Sequence, residues 1–279
     1  MRVEVEGARL FVDFDGAKLR RNGPVLEERP TVLIVPTGPG NDHSPYRDHI
    51  GPLLAEEMQV VYLDLRGFGR SDLSEPAKWN TEQWSSDIKA ITDLLEIERP
   101  VVLGAGWGAY TAIRFAQRWP DALSKLVLVN PAARIVVPRI VARFDELGGP
   151  AAGEAAFNFY EHPSEQSIAQ YMRECFHITV GASNAETLLL NQTWTWTIAV
   201  HWIAHEAKTL DLRPGLGDIT APTLIAAGTD DPQYPRQSIA EVVEGIPHAT
   251  VRWYEGARHS IFRDRPEVNR LVSGWILGR

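Results

Sequence analysis

The chain has 279 residues, a formal net charge of −8, 44% hydrophobic residues and 23% charged residues. A chain this long can bury a large core, and its composition is ordinary for a globular protein. The acidic balance gives no electrostatic support to a nucleic-acid partner. No apolar run approaches the roughly 20 residues that span a bilayer, so no membrane partner is expected.

The opening, MRVEVEGARLFVDFDG, alternates apolar and polar residues and lacks the apolar block of a secretory leader. Its alternation, around Val3–Val5 and Arg9–Phe14, predicts an antiparallel hairpin or meander. Thr31–Pro36 (TVLIVP) is then a continuous apolar run, the pattern of a strand buried on both faces of a parallel sheet. Gln59–Leu65, Val101–Gly106, Lys125–Asn130, Pro222–Gly228 and Thr250–Glu255 have the same character. Between them, Trp84, Ile88, Ile91 and Leu95 share one helical face. Asn80 stands at that helix's cap, with Gln83 three residues on in the capping-box position. A second helix is expected from about Trp107 to Trp119, ending before Pro120. A third starts near Pro235, and a last one follows Pro266. Strand–helix alternation implies a mainly parallel sheet covered on both faces.

Residues 134–213 break this rhythm. They offer no buried strand and look helical, with aromatics and histidines. They are read as an inserted helical cap (134–213) on a core made of 1–133 and 214–279. Cys175, the only cysteine, lies in the helical-looking YMRECF and reads as a packing residue. Unable to form an internal disulfide, it points to a reduced, cytoplasmic setting.

Five segments then resemble, in order and spacing, the α/β-hydrolase family, and within it the proline iminopeptidase-like branch. PTGPGNDHSPYRDHI sits where that branch has H-G-G-P-G. YLDLRGFGRSD is similar to its strand and following turn. GAGWGAY stands at the nucleophile elbow, AAGTDDP at the acid loop and GARHSIFRDRPE at the histidine loop. The resemblance implies an α/β fold with a mostly parallel central sheet, helices on both faces and an inserted helical cap. Two departures stand out: Gly106 occupies the position of the attacking serine, and Pro36-Thr37 replaces the His-Gly before Gly38-Pro39-Gly40.

The elbow projects its central residue from a strained strand-to-helix turn, a conformation glycine enters without penalty. Gly106 therefore fits either a natural serine-less variant or an engineered knockout, and the accompanying change at Pro36-Thr37 favours divergence. The resemblance implies His259 as base and Asp231 as its acid, filling G-x-x-D-P with Gly228 and Pro232, while Asp230 is the alternative loop acid. A carboxylate on one ring nitrogen fixes the tautomer and raises the basicity of the other. An oxyanion hole would take backbone N–H groups from Trp107 and from Gly38, with Thr37 as second choice; Trp107 could equally wall a pocket. Loss of the serine side chain is expected to leave room for a water beside that hole. Arg66, Gly67, Gly69 and Asp72 read as a structural turn with a local ion pair. Thr37, His43, Trp194, His201 and Trp202 are the candidate substrate-binding residues, although a surface role competes for His43 and cap packing for the tryptophans. His201 and His205 have i, i+4 spacing, but no carboxylate completes a metal-binding pattern. Glu161 is the one acidic cap residue that could hold a substrate amine, in a surrounding motif that matches poorly.

The expected function is hydrolysis of a small apolar ester, lactone or amide, with no cofactor and no metal. Two alternatives stand beside it. One is a lyase, isomerase or cyclase working by general-base catalysis through His259–Asp231. The other is a non-catalytic ligand-binding pseudo-hydrolase. A small-molecule substrate is the expected partner, and a homodimer is compatible with the sequence.

Overall fold

A computed structural model describes residues 1–279. In chain order the strands are β1 (Arg2–Val5), β2 (Ala8–Asp15), β3 (Leu19–Asn22), β4 (Val25–Glu28), β5 (Thr31–Val35), β6 (Gln59–Leu63), β7 (Val101–Ala105), β8 (Lys125–Val129), β9 (Thr223–Gly228) and β10 (Thr250–Tyr254). Eight of them form one sheet in the order β1-β2-β6-β5-β7-β8-β9-β10. The first two pairings, β1 with β2 and β2 with β6, are antiparallel, and the rest are parallel. The central strands are the continuous apolar runs: β5, β6, β7 and β8 are almost wholly buried and β9 wholly so. Both faces of these strands are covered, so apolar side chains are needed at successive positions rather than at alternate ones.

The N-terminal alternation forms the expected antiparallel pair, with Val5 opposite Ala8. The small β3–β4 hairpin was not expected. Its strands are exposed throughout, so no buried face imposes a period-2 pattern. The remaining sign was Gly23-Pro24 at its two-residue turn, where Gly23 takes φ 61°.

The first helices are α1 (Ser44–Arg47), α2 (Ile50–Ala55), α3 (Thr81–Leu94) and α4 (Gly108–Arg118). In α3, Trp84, Ile88 and Ile91 are fully buried, and the Asn80 side chain accepts from the Gln83 N–H. Only half of a capping box forms, because the Gln83 side chain turns instead to Glu6 and Asp87. Six helices lie between β8 and β9: α5 (Val137–Gly148), α6 (Pro150–Glu161), α7 (Glu165–Glu174), α8 (Phe176–Val180), α9 (Ala182–Asn191) and α10 (Trp196–His205). The two ends of this helical insert meet in an antiparallel bridge between Arg134 and Asp211. Then come α11 (Arg236–Gly245), α12 (Ile261–Asp264) and α13 (Pro266–Ile276). The outcome is an α/β fold with an eight-stranded, mostly parallel sheet, helices on both faces and a helical insert. No helix is long and apolar enough to cross a membrane.

Cys175 is fully buried in the insert, where its thiol donates to the Ala152 carbonyl at 3.3 Å and burial pushes its pKa up to about 12. It is a packing residue. The turn after β6 is also structural. Arg66 is buried in a two-pronged ion pair with Asp87 of α3, at 2.7 and 2.9 Å, while Asp72 pairs with Arg9.

Candidate active site

Parallel strands deliver their following loops to one edge of the sheet, which is where this class of fold gathers its chemistry. The loop after β7 carries Gly106, that after β9 carries Asp231, that after β10 carries His259, and that after β5 carries Thr37, Gly38 and Pro39. His259 Nδ1 lies 2.8 Å from Asp231 Oδ2. Asp231 is fully buried, and its other oxygen accepts the backbone N–H groups of Gln233 and Tyr234 at 2.8 and 3.0 Å. Three bonds to the carboxylate fix its orientation and so the orientation of the ring. Asp230 instead lies half-exposed with Oδ1 3.3 Å from Arg143.

Gly106 has φ 55°, the left-handed backbone of a sharp strand-to-helix turn. A Cβ built on it would stand 2.6 Å from His259 Nε2, 2.7 Å from Cε1 and 3.4 Å from the Thr37 hydroxyl. The imidazole therefore occupies the space a side chain would need. The ring edge stands where a Cβ would, while Gly106, Thr37 and His259 together still line an open cavity. His259 Nε2 faces the elbow with no protein hydroxyl to engage it.

The backbone N–H groups of Gly38 and Trp107 are taken by no protein acceptor. Gly38 has no space for a side chain, since a Cβ would meet Gly40 N at 2.9 Å, Phe68 at 3.0 Å and the Trp107 ring at 3.2 Å. The Trp107 side chain is not a pocket wall. It is 3% exposed and packs edge-on or tilted against Phe68, Trp84 and Trp202. The loop before α10 is strapped to the Gly38–Gly40 turn: the Thr195 N–H donates to the Gly40 carbonyl at 2.8 Å, and Asn41 bridges to Trp194.

A cavity of about 150 Å³ opens onto these groups. Thr37, Gly38, Gly106 and His259 line it, and the insert supplies Phe159, Tyr171, Met172, Phe176, Trp194 and Trp196 among others. Trp194 stacks on Trp196 with ring centroids 4.5 Å apart.

Three candidate binding residues do not reach this cavity. His43 is 2% exposed, its Nδ1 2.7 Å from Asp64 Oδ1 and its ring stacked on Phe11, so it is a core residue that ties the loop to β6. Trp202 is 1% exposed and packs beneath the site against Trp107 and Tyr110, because its helical phase turns it inward. His201 packs edge-on against Trp79, beside His205, and lines a different pocket with Trp79 and Glu165. No group of three potential metal-ligating side chains occurs. Glu161 is bound to Lys208 at 2.7 Å, away from the cavity lining.

Asn130 was missed. It follows β8, is 1% exposed and has φ 45°. Its amide donates to the carbonyls of Arg258 and His259 at 3.1 and 3.0 Å and accepts from the Gly228 N–H at 2.7 Å. One side chain thus joins the ends of β8 and β9 to the histidine loop. The signal was a polar residue closing an apolar run, KLVLVN, at the carboxyl end of a strand.

A family model for the alpha/beta hydrolase fold matches residues 30–266. The chain is 27% identical over 254 residues to a 2-hydroxy-6-oxononadienedioate/2-hydroxy-6-oxononatrienedioate hydrolase of Cupriavidus pinatubonensis, covering 88% of this chain and 86% of that one. It is 25% identical to a 2-hydroxy-6-oxo-6-phenylhexa-2,4-dienoate hydrolase of Comamonas testosteroni, over 91% and 89% of the two chains. Among solved structures, a hydrolase from Pseudomonas aeruginosa superposes with TM-score 0.77 at 21% identity, over 100% of this chain and 98% of that one. A proline iminopeptidase from Mycobacterium smegmatis does so with TM-score 0.75 at 20% identity, over 100% and 97%.

Proposed function

Because this chain belongs to the α/β-hydrolase fold family, we propose that it is a hydrolase of a small, largely apolar ester, lactone or amide that works without a covalent intermediate. The observation that carries the reading is the His259–Asp231 pair at 2.8 Å beside a side-chain-less elbow. In this reading His259 Nε2 takes a proton from a water as that water attacks the substrate carbonyl. The free N–H groups of Gly38 and Trp107 hold the oxyanion that forms, and the Thr37 hydroxyl, on the same side of Gly106, orients the water. Asp231 stabilises the imidazolium. The hydrolase names of the relatives support the reaction class.

The iminopeptidase-like affiliation has weaker support. A solved iminopeptidase shares the fold, but no Asp or Glu lines the cavity to receive a substrate amine, and Glu161 is engaged by Lys208. Aminoacyl substrates are therefore the least favoured of the amides.

A second reading rests on Nε2 having no protein hydroxyl to deprotonate: the same base could take a proton from the substrate itself, as in a lyase, isomerase or cyclase. Steady-state assays of the chain, His259→Ala and Gly106→Ser on small esters, lactones and amides separate the readings. Hydrolysis by the parent chain with a loss of about 10²–10⁴-fold in His259→Ala is the expected result. Turnover confined to Gly106→Ser, with an acylation burst, would show a disabled serine hydrolase. Isomerisation or elimination without water incorporation would establish the second reading. Activity unaffected by His259→Ala would remove the dyad from the mechanism.

A further inference from the structure

The cavity lining contains an arginine, Arg263, and no Asp or Glu. Arg263 stands four positions beyond His259, on α12. Its guanidinium forms no ion pair and no side-chain hydrogen bond, and Asp48 and Asp264 act on it only through space. Asp264 is itself engaged by Asn184 at 3.0 Å. Partial burial lowers the Arg263 pKa in spite of these two acids, and no carboxylate is in contact with the cation. His49, which precedes α2, lines the same cavity. Its Nε2 is buried and has no hydrogen-bond partner. Burial and the Arg263 charge both lower the His49 pKa, with Asp48 opposing, so the two groups lie within each other's field.

A half-buried, always-charged guanidinium with open donors is costly unless something supplies negative charge. Here the protein supplies it only through space, from Asp48 and Asp264, with no carboxylate in contact. A planar carboxylate can take two parallel N–H bonds from one guanidinium, and a neighbouring imidazole N–H fits one further lone pair. We propose that Arg263 and His49, which line the same cavity, form an anion subsite there for a carboxylate on the substrate. The inference rests on the cavity being the substrate site. It deepens the proposed function by specifying a carboxylate-bearing substrate that presents its reactive carbonyl to His259.

The test measures binding, so that it stands apart from turnover. Phenylacetate and its neutral isostere phenylacetamide are titrated into the full chain by calorimetry, alongside Arg263→Met, Arg263→Lys and His49→Asn. Phenylacetate is expected to bind at least 10-fold more tightly than the amide. Arg263→Met should abolish that preference while leaving amide affinity unchanged. Arg263→Lys should restore part of it, and His49→Asn should weaken it less. Arg263 holds no protein partner, so its replacement removes no fold contact of that kind, and circular dichroism checks each variant. Equal affinity for the two probes, a preference that survives Arg263→Met, or binding of neither probe would overturn the subsite. Tighter binding of phenyl phosphate would overturn the carboxylate assignment. A chain that discriminates the probes but hydrolyses nothing would keep the subsite and refute the hydrolase reading. A chain that hydrolyses neutral esters without discrimination would do the reverse.

Discussion

Gly106 links one missing side chain to the position of a second residue. With φ 55° and His259 Nε2 2.6 Å from where a Cβ would stand, the position resists any side chain twice, through the backbone and through the ring. Gly106→Ser should therefore cost about 1–3 kcal/mol of stability from the left-handed backbone alone, read by denaturant unfolding. It should also force the imidazole back, measurable as a changed histidine ring environment in NMR. A neutral Gly106→Ser would mean that the elbow is more relaxed than its geometry. Asn130 tests the opposite case, a side chain that holds others in place. Asn130→Leu strands the buried Gly228 N–H and frees the His259 loop, with an expected cost of about 1–3 kcal/mol and a fall in kcat larger than any change in KM. Unchanged kcat would make Asn130 a matter of stability alone. At this scale the family resemblance pointed to His259 and Asp231, and the structure brings the two side chains within 2.8 Å of each other. His43, His201 and Trp202 were misplaced because helix phase and loop path, not residue type, decide which side chain faces a cavity.

At the scale of elements, the insert is fastened to helix α11 of the core by charge at its neck. Glu241 on α11 accepts from Arg134 and from Arg139 of α5 at 2.8 Å each. The two guanidinium partners hold its carboxyl down at about 2, below the ordinary 4.5. A carboxyl depressed in the folded state contributes stability that is present above its unfolded value and is lost as the pH falls from about 4.5 towards about 2. Glu241→Gln should lower stability at pH 7 by about 1 kcal/mol and flatten the acid limb of the stability curve over that window. An acid limb identical to that of the parent chain would assign the neck to packing instead. The insert itself was legible as an interruption, because six helices without a buried strand cannot continue a strand–helix rhythm. The β3–β4 hairpin was not, because exposed strands carry no hydrophobic period.

For the whole molecule, a ligand that binds only the folded state raises its stability by mass action. Bound at the Arg263–His49 subsite, phenylacetate at about 100 times its Kd should stabilise the chain by about 2.7 kcal/mol and raise Tm by a few degrees. Phenylacetamide at equal concentration should raise it less, and a thermal melt with each probe reads the difference. The buried strands and their places along the chain, a mainly parallel sheet and a helical insert were legible in the sequence, and the family resemblance pointed to Asp231 and His259 in loops after strands. The strands, the sheet and the insert follow from local patterns, namely apolar runs, helical periodicity, caps and turn residues. Only the tertiary structure decided what faces the cavity. That the imidazole closes over Gly106, that Trp107 turns its ring into the core and leaves its N–H free, and that Arg263 stands in the lining without an acid partner all depend on chain segments far apart in sequence. Contacts of that kind leave no period in the sequence, because the residues that meet share no element.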